Sequence, residues 1–151
     1  MLVAAEAFAS DRSVYTPANG SSCVDASREN FGSWTCPGPG GYRIDFSDEG
    51  NIAGVAIRPS RAARREGYAF RGAGTVFGDR VEWILTNGVP EAAILRIWRA
   101  EGDDGIVQEL IVLKVTPAGS CRIASVSTKR PDANDLAREE ASHASQRSCD
   151  K

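Results

Sequence analysis

What this chain lacks narrows its chemistry. It has no surplus of positive charge: 18 Lys and Arg stand against 20 Asp and Glu, a net charge of −2. A protein built to neutralise phosphates needs a clear excess of cations, so the composition argues against a nucleic-acid partner. No apolar run approaches the ~20 residues that a membrane-spanning helix requires, so no transmembrane segment is expected. Histidine occurs once, as His143, six residues from the nearest cysteine, and no C-x-x-C pair exists. Zinc sites use tighter ligand spacing, so neither a metal nor a cofactor is expected. G-x-S-x-G and H-E-x-x-H are missing too, and no catalytic residue is assigned.

Glycine-rich residues 71–78 (RGAGTVFG) do not fill the gap. Their G-x-G-x-x-x-G spacing departs from the dinucleotide fingerprint, strand signals flank them where a βαβ unit needs a helix, and no Lys-Ser or Lys-Thr follows. These glycines are read as places where the backbone bends or approaches another strand.

The chain does have four cysteines, Cys23, Cys36, Cys121 and Cys149. An even number in a chain of this size implies two disulfides and an oxidising compartment. Three connectivities are open to four cysteines. The expected one pairs Cys23 with Cys36 and Cys121 with Cys149, because each bridge then closes one structural unit. Ala7-Phe8-Ala9 before Ser10 has the small-x-small form of a signal-peptide end. Residues 1–9 are therefore read as a signal-peptide remnant or a disordered terminus, and residues 10–151 as a single disulfide-bonded β domain.

Residues 81–116 form the centre of the reading. Val81, Trp83 and Leu85 alternate with Glu82, Ile84 and Thr86; Ala93, Leu95 and Ile97 alternate with Ile94, Arg96 and Trp98; Ile111, Leu113 and Val115 oppose Leu110, Val112 and Lys114. A period of two marks strands, and polar turns at 87–91 and 101–105 make them an antiparallel meander. Both faces carry large apolar groups, as in a sheet covered on each side. Trp83 and Trp98 are read as core or sheet-face residues, with a ligand platform as the second reading.

Earlier in the chain, 42–47 and 52–57 form a hairpin around the turn 48–51, preceded by a short strand at 31–36. Residues 10–30 read as loop with a short edge strand near Val14 and Tyr15. Residues 58–71 carry five arginines against one glutamate. Ser60 could cap two helical turns there, and the run is either a solvated connection or an anion-binding patch. Arg61, Arg64, Arg65, Arg71, Gly72 and Gly74 are the candidate interaction loop. Asp45, Asp48 and Glu49 gather at a hairpin end, where paired carboxylates could do acid–base work. After a last strand at 120–128, Pro131 introduces a helix expected over 132–148, with an alanine-rich inward stripe.

Cys23, Ser33-Trp34-Thr35-Cys36-Pro37-Gly38, Val81-Glu82-Trp83, residues 93–98, Asn134-Asp135-Leu136-Ala137-Arg138 and Cys149 together resemble a family of small secreted alphaproteobacterial proteins. That resemblance implies a periplasmic or secreted β-rich domain with a C-terminal helix and no particular activity. Gly72-Ala73-Gly74-Thr75-Val76-Phe77 ahead of Trp83 is also distantly similar to periplasmic inhibitors of c-type lysozymes, small barrels that insert a loop into an enzyme cleft. Arg71 stands where that family's loop serine would sit, and its tyrosine after the loop is missing.

The expected fold is mainly β: an antiparallel barrel or sandwich of seven to eight strands, with one C-terminal helix and two disulfides. The expected function is a non-enzymatic periplasmic or secreted binding module whose partner is a protein or a small ligand. A lysozyme-type inhibitor and a hydrolase using the hairpin carboxylates are the alternatives.

Overall fold

A computed structural model of the chain describes residues 11–150; the signal-peptide reading of residues 1–9 lies outside them. Ten strands form two antiparallel sheets. The first sheet contains β1 (Asp11–Pro17), β7 (Gly72–Thr86), β8 (Val89–Glu101), β9 (Gly105–Thr116) and β10 (Gly119–Ser127), in the order β1-β7-β8-β9-β10. The second runs in sequence order through β2 (Val24–Asp25), β3 (Gly32–Pro37), β4 (Tyr42–Asp48), β5 (Ala53–Pro59) and β6 (Tyr68–Phe70).

The expected count of seven to eight strands is too low, and the sheets do not close into a barrel. The two- and three-residue strands β2 and β6 carry no periodicity of their own; β3 and β5 recruit them by ladder hydrogen bonding. β1 is longer than the edge strand expected because β7 pairs with it from Asp11 to Pro17. Among the described residues no helix is long and apolar enough to cross a membrane.

The inward faces of both sheets share one core. Its fully buried members include Trp83, Phe46, Ile44, Ile57, Leu95 and Ile111. At ~1.5–3 kcal/mol for each buried large side chain, this layer is the main drive to fold. Trp34, Phe46 and Phe77 form an aromatic cluster with centroids 5.0–5.9 Å apart. The Trp83 indole N–H donates to Thr16 Oγ1 at 2.6 Å, satisfying its polar edge. Gly38 is packed so closely beneath the ring that a Cβ there would stand 2.7 Å from Trp83 Cζ2.

The opposite face of the first sheet is covered as well. Ile84, Ala92, Ile94, Leu110 and Val112 pack against α1 (Ala133–Ser142) and the 3₁₀ turn Ala144–Gln146 through Ala133, Ala137, Ala141 and Ala144. The i, i+4 alanine stripe suits so close an approach. The helix ends six residues before the expected 148 because His143 leaves helical geometry (φ −106°, ψ 13°) and the chain tightens into the 3₁₀ turn.

Both disulfides form as expected, Cys23–Cys36 and Cys121–Cys149. Side chains stitch the seams where ladders end. β6 pairs with β5 only at Ala53, Gly54 and Val55, and the Ile57 N–H beyond donates to Ser120 Oγ of β10 at 2.7 Å. The Trp34 indole N–H donates across the other seam to the Ala18 carbonyl at 2.8 Å. The Asp150 N–H reaches the Arg122 carbonyl at 2.9 Å, so the chain end lies against β10.

Candidate ligand cleft on the outer face of the first sheet

The strand that shapes the candidate site is β7. Gly72 pairs with Arg99, Phe77 with Ile97 and Val81 with Leu95. Four β7 residues therefore oppose Trp98 alone, and the next three oppose Arg96 alone. Two consecutive bulges of this kind bend a strand and re-aim its side chains, and bulges are frequent beside binding sites. Within the first, Gly74 and Val76 take positive φ (57° and 68°). A β-branched residue rarely adopts that geometry; Val76 holds it while its side chain is buried in the core. At the second, Gly78 lets the strands close up, since a Cβ there would lie 3.1 Å from that of Arg96. Residues 72–78 are thus strand residues with bulges, in keeping with glycines that bend the backbone.

Helix α1 covers the outer face of the sheet only in part. Past its first turn, at Asn134, a cleft of about 410 Å³ opens between the β7 bulges and the helix. Ile94, Leu110 and Trp98 supply its apolar surface. Of the two tryptophans expected in the core or on a sheet face, Trp83 is fully buried and Trp98 is half-buried on the outer face. The Trp98 indole N–H has no partner among the described residues.

Two carboxylates, Asp79 and Glu82, and two guanidinium groups, Arg80 and Arg96, line the cleft, and the exposed Asp79 accepts from Asn19 Nδ2 at 3.3 Å. The buried Glu82 carboxylate accepts from Arg138 Nε at 2.9 Å and from Ser13 Oγ at 2.5 Å, and Arg138 Nη2 donates to the Tyr15 hydroxyl at 3.2 Å. The Glu82 hydrogen bond, then that of Tyr15 and the Glu82 charge, hold the Arg138 pKa above its ordinary value. This negative charge is therefore already matched. Arg80 lies 4.2 Å from the Tyr15 ring centroid in a cation–π contact. Neither Arg80 nor Arg96 has a carboxylate partner among the described residues. Two guanidinium groups thus line an apolar-floored cleft with their hydrogen-bonding forks unpaired, a donor geometry that matches carboxylate or phosphate oxygens.

The arginine run before β6 is arranged differently. Thr35 Oγ1 donates to Asp45 Oδ1 at 2.6 Å, and Arg58 Nε donates to Asp45 Oδ2 at 2.7 Å. Arg58 Nη1 also reaches the Ala62 carbonyl at 2.8 Å. Arg64 Nε lies 3.3 Å from Asp45 Oδ1, and its Nη1 donates to Ser33 Oγ at 2.9 Å. Arg65 donates to the Pro117 carbonyl at 2.8 Å. Burial alone would raise the Asp45 pKa, but hydrogen bonds from Arg58 and Thr35 and the charges of Arg58 and Arg64 bring it below the usual carboxylate range.

The two helical turns expected here are absent. Arg58 claims carbonyl oxygens that helical N–H groups would need, while Arg64 and Arg65 are held by opposite parts of the fold. Arg61 and Arg71 are exposed, and their side chains have no partner among the described residues. Gly72 and Gly74 lie on β7 at the first bulge, near the cleft, rather than in a loop.

The hairpin carboxylates do not converge. Asp45 faces Arg58, Asp48 Oδ1 accepts from the Gly50 N–H at 3.0 Å, and Glu49 is exposed. His143 lies at the helix end, its Nδ1 2.9 Å from the Glu139 carbonyl oxygen. Reading the sequence missed Arg80 and Arg96. The available signal was an arginine on the outward face shared by Ile94 and Trp98, where a charge among apolar neighbours breaks the pattern. Comparison of the chain with known protein families, with curated proteins and with solved structures returns no match.

Proposed function

We propose that this protein is a non-enzymatic binding module of the periplasm or the extracellular space, and that it takes a small anionic ligand in the cleft beside the β7 bulges. One observation carries the reading: Arg80 and Arg96 have no carboxylate partner among the described residues and stand beside Ile94, Leu110 and Trp98. A few oriented polar groups over an apolar floor are the usual make-up of a small-molecule site. The two disulfides support an oxidising compartment.

Calorimetric titration with galacturonate, a small ring carboxylate, at low ionic strength tests the site. Binding on the order of a millimolar Kd is expected, weakening as salt screens the guanidinium groups. Arg96→Ala should lower the affinity about tenfold, the order of one charge-assisted contact. Absence of binding, or binding indifferent to both Arg80→Ala and Arg96→Ala, would refute the site.

A further inference from the structure

Trp98 lines a second hollow as well. On its far side, at the end of the first sheet, lies a depression of about 540 Å³ whose walls include Gln108, Thr128 and Lys129. Alternation along the strands puts Trp98, Gln108 and Ile106 on the same outward face as Ile94 and Leu110. Trp98 is paired with Gln108 across the β8–β9 ladder. Thr128 extends the row, donating to the Gln108 carbonyl and side-chain oxygens at 3.1 and 3.2 Å, which leaves the Gln108 amide N–H groups unused. The Lys129 ammonium has no partner among the described residues, and Ile106 is 57% exposed.

A single band therefore crosses the uncovered end of the sheet from Arg80 and Arg96, over Trp98, to Lys129. It passes from β7 to the end of β10. Three inter-strand steps of about 4.8 Å make it roughly 14 Å long, more than one sugar ring can occupy. It runs from Arg80 and Arg96, with Asp79 beside them, over the partly buried Trp98 indole and the polar groups of Gln108 and Thr128 to Lys129, while Glu109 in the second hollow is paired with Arg99.

We infer that this band binds a short linear acidic oligosaccharide, a chain of carboxylate-bearing sugar rings lying across Trp98. The inference rests on the cleft reading above and extends it into the second hollow. A pyranose ring presents an apolar C–H face that an indole can cover, with hydroxyls at its edge for Gln108 and Asn134 and for the Trp98 N–H. Its carboxylates match Arg80 and Arg96 at one end and Lys129 at the other. An alkyl chain would leave the amide and hydroxyl groups unsatisfied. An acidic peptide would satisfy the cations and make no use of the indole face.

The test is calorimetric titration of the intact, disulfide-bonded protein with a galacturonate tetramer, the galacturonate monomer, an uncharged glucose tetramer and a tetraglutamate peptide. The acidic tetramer should bind at least about tenfold more tightly than any of the other three. Lys129→Ala should reduce the tetramer-to-monomer ratio several-fold, and Trp98→Ala should abolish the preference over tetraglutamate. Lys129 is exposed and remote from the core, so its variant keeps the test decisive even if Trp98→Ala fails to fold.

Equal affinity for the glucose tetramer would overturn the inference, as would equal affinity for tetraglutamate. If the monomer binds through Arg96 while the tetramer binds no better and Lys129→Ala is silent, the extended band is wrong and the cleft stands. If neither galacturonate ligand binds, both readings fall.

Discussion

Asp45→Ala is the perturbation that separates a folding role from a ligand-binding role for the arginine-rich segment. Its carboxylate sits between two guanidinium groups of very different burial: the Arg58 side chain is 11% exposed and that of Arg64 is 47% exposed. Removing the carboxylate leaves the buried guanidinium of Arg58 with only the Ser60 and Ala62 carbonyls for compensation. Breaking a buried pair from one side costs about 3–5 kcal/mol. The surviving carbonyl bonds put this case near 3 kcal/mol, a large share of the ~5–15 kcal/mol typical of a folded domain. At ~2–4 °C per kcal/mol for chains of this order, the melting temperature should fall by roughly 6–12 °C.

Arg64→Ala, by contrast, removes an exposed partner from the same carboxylate and should cost about 0–1 kcal/mol. Urea unfolding followed by tryptophan fluorescence, with the disulfides intact, measures both, and an unchanged m value shows that the comparison is valid. A pH series adds a second reading. The Asp45 pKa is lowered in the folded protein, so its ionic contribution is complete above the unfolded aspartate value of ~4 and disappears as pH falls through the lowered one. The gap between Asp45→Asn, which removes the charge at nearly constant volume, and the natural sequence should therefore narrow below about pH 4. A gap that stays constant into acid, or Arg64→Ala costing as much as Asp45→Ala, would refute the clamp.

Two further outcomes follow from the bulged strand and the disulfides. Val76→Gly should be nearly neutral, within about 1 kcal/mol, because relief of a positive φ, worth ~1–3 kcal/mol, offsets the lost burial; Val81→Gly, fully buried with no positive φ, should cost several times more, and urea midpoints of the two variants decide it. Reduction should cost roughly 3 kcal/mol for the 13-residue Cys23–Cys36 separation and a few tenths more for the 28 residues between Cys121 and Cys149, read as the stability of Cys→Ser pairs. Equal midpoints with and without either bridge would show that the unfolded chain gains no freedom from losing it.

Local pattern was enough to place much of this structure. The period of two in 81–116 located β8, β9 and the C-terminal part of β7, which begins nine residues earlier at Gly72, and the large side chains on both faces implied the two covering layers that sheet and helix provide. Alanines four apart marked the helix stripe. The local disulfide pairing, favoured among three open connectivities, is the one that forms. Such features are legible because neighbours in sequence set them.

The tertiary structure decided the rest, because the partners are distant in sequence. Asp45 converts an exposed-looking arginine run into a clamp, and Pro117 captures Arg65 from 52 residues away. Trp83 and Trp98 have similar alternating surroundings, yet one faces the second sheet and the other lies beyond the end of a short helix. The cleft itself exists because β7 uses seven residues where β8 uses two, a mismatch of register that becomes visible only once the two strands are paired.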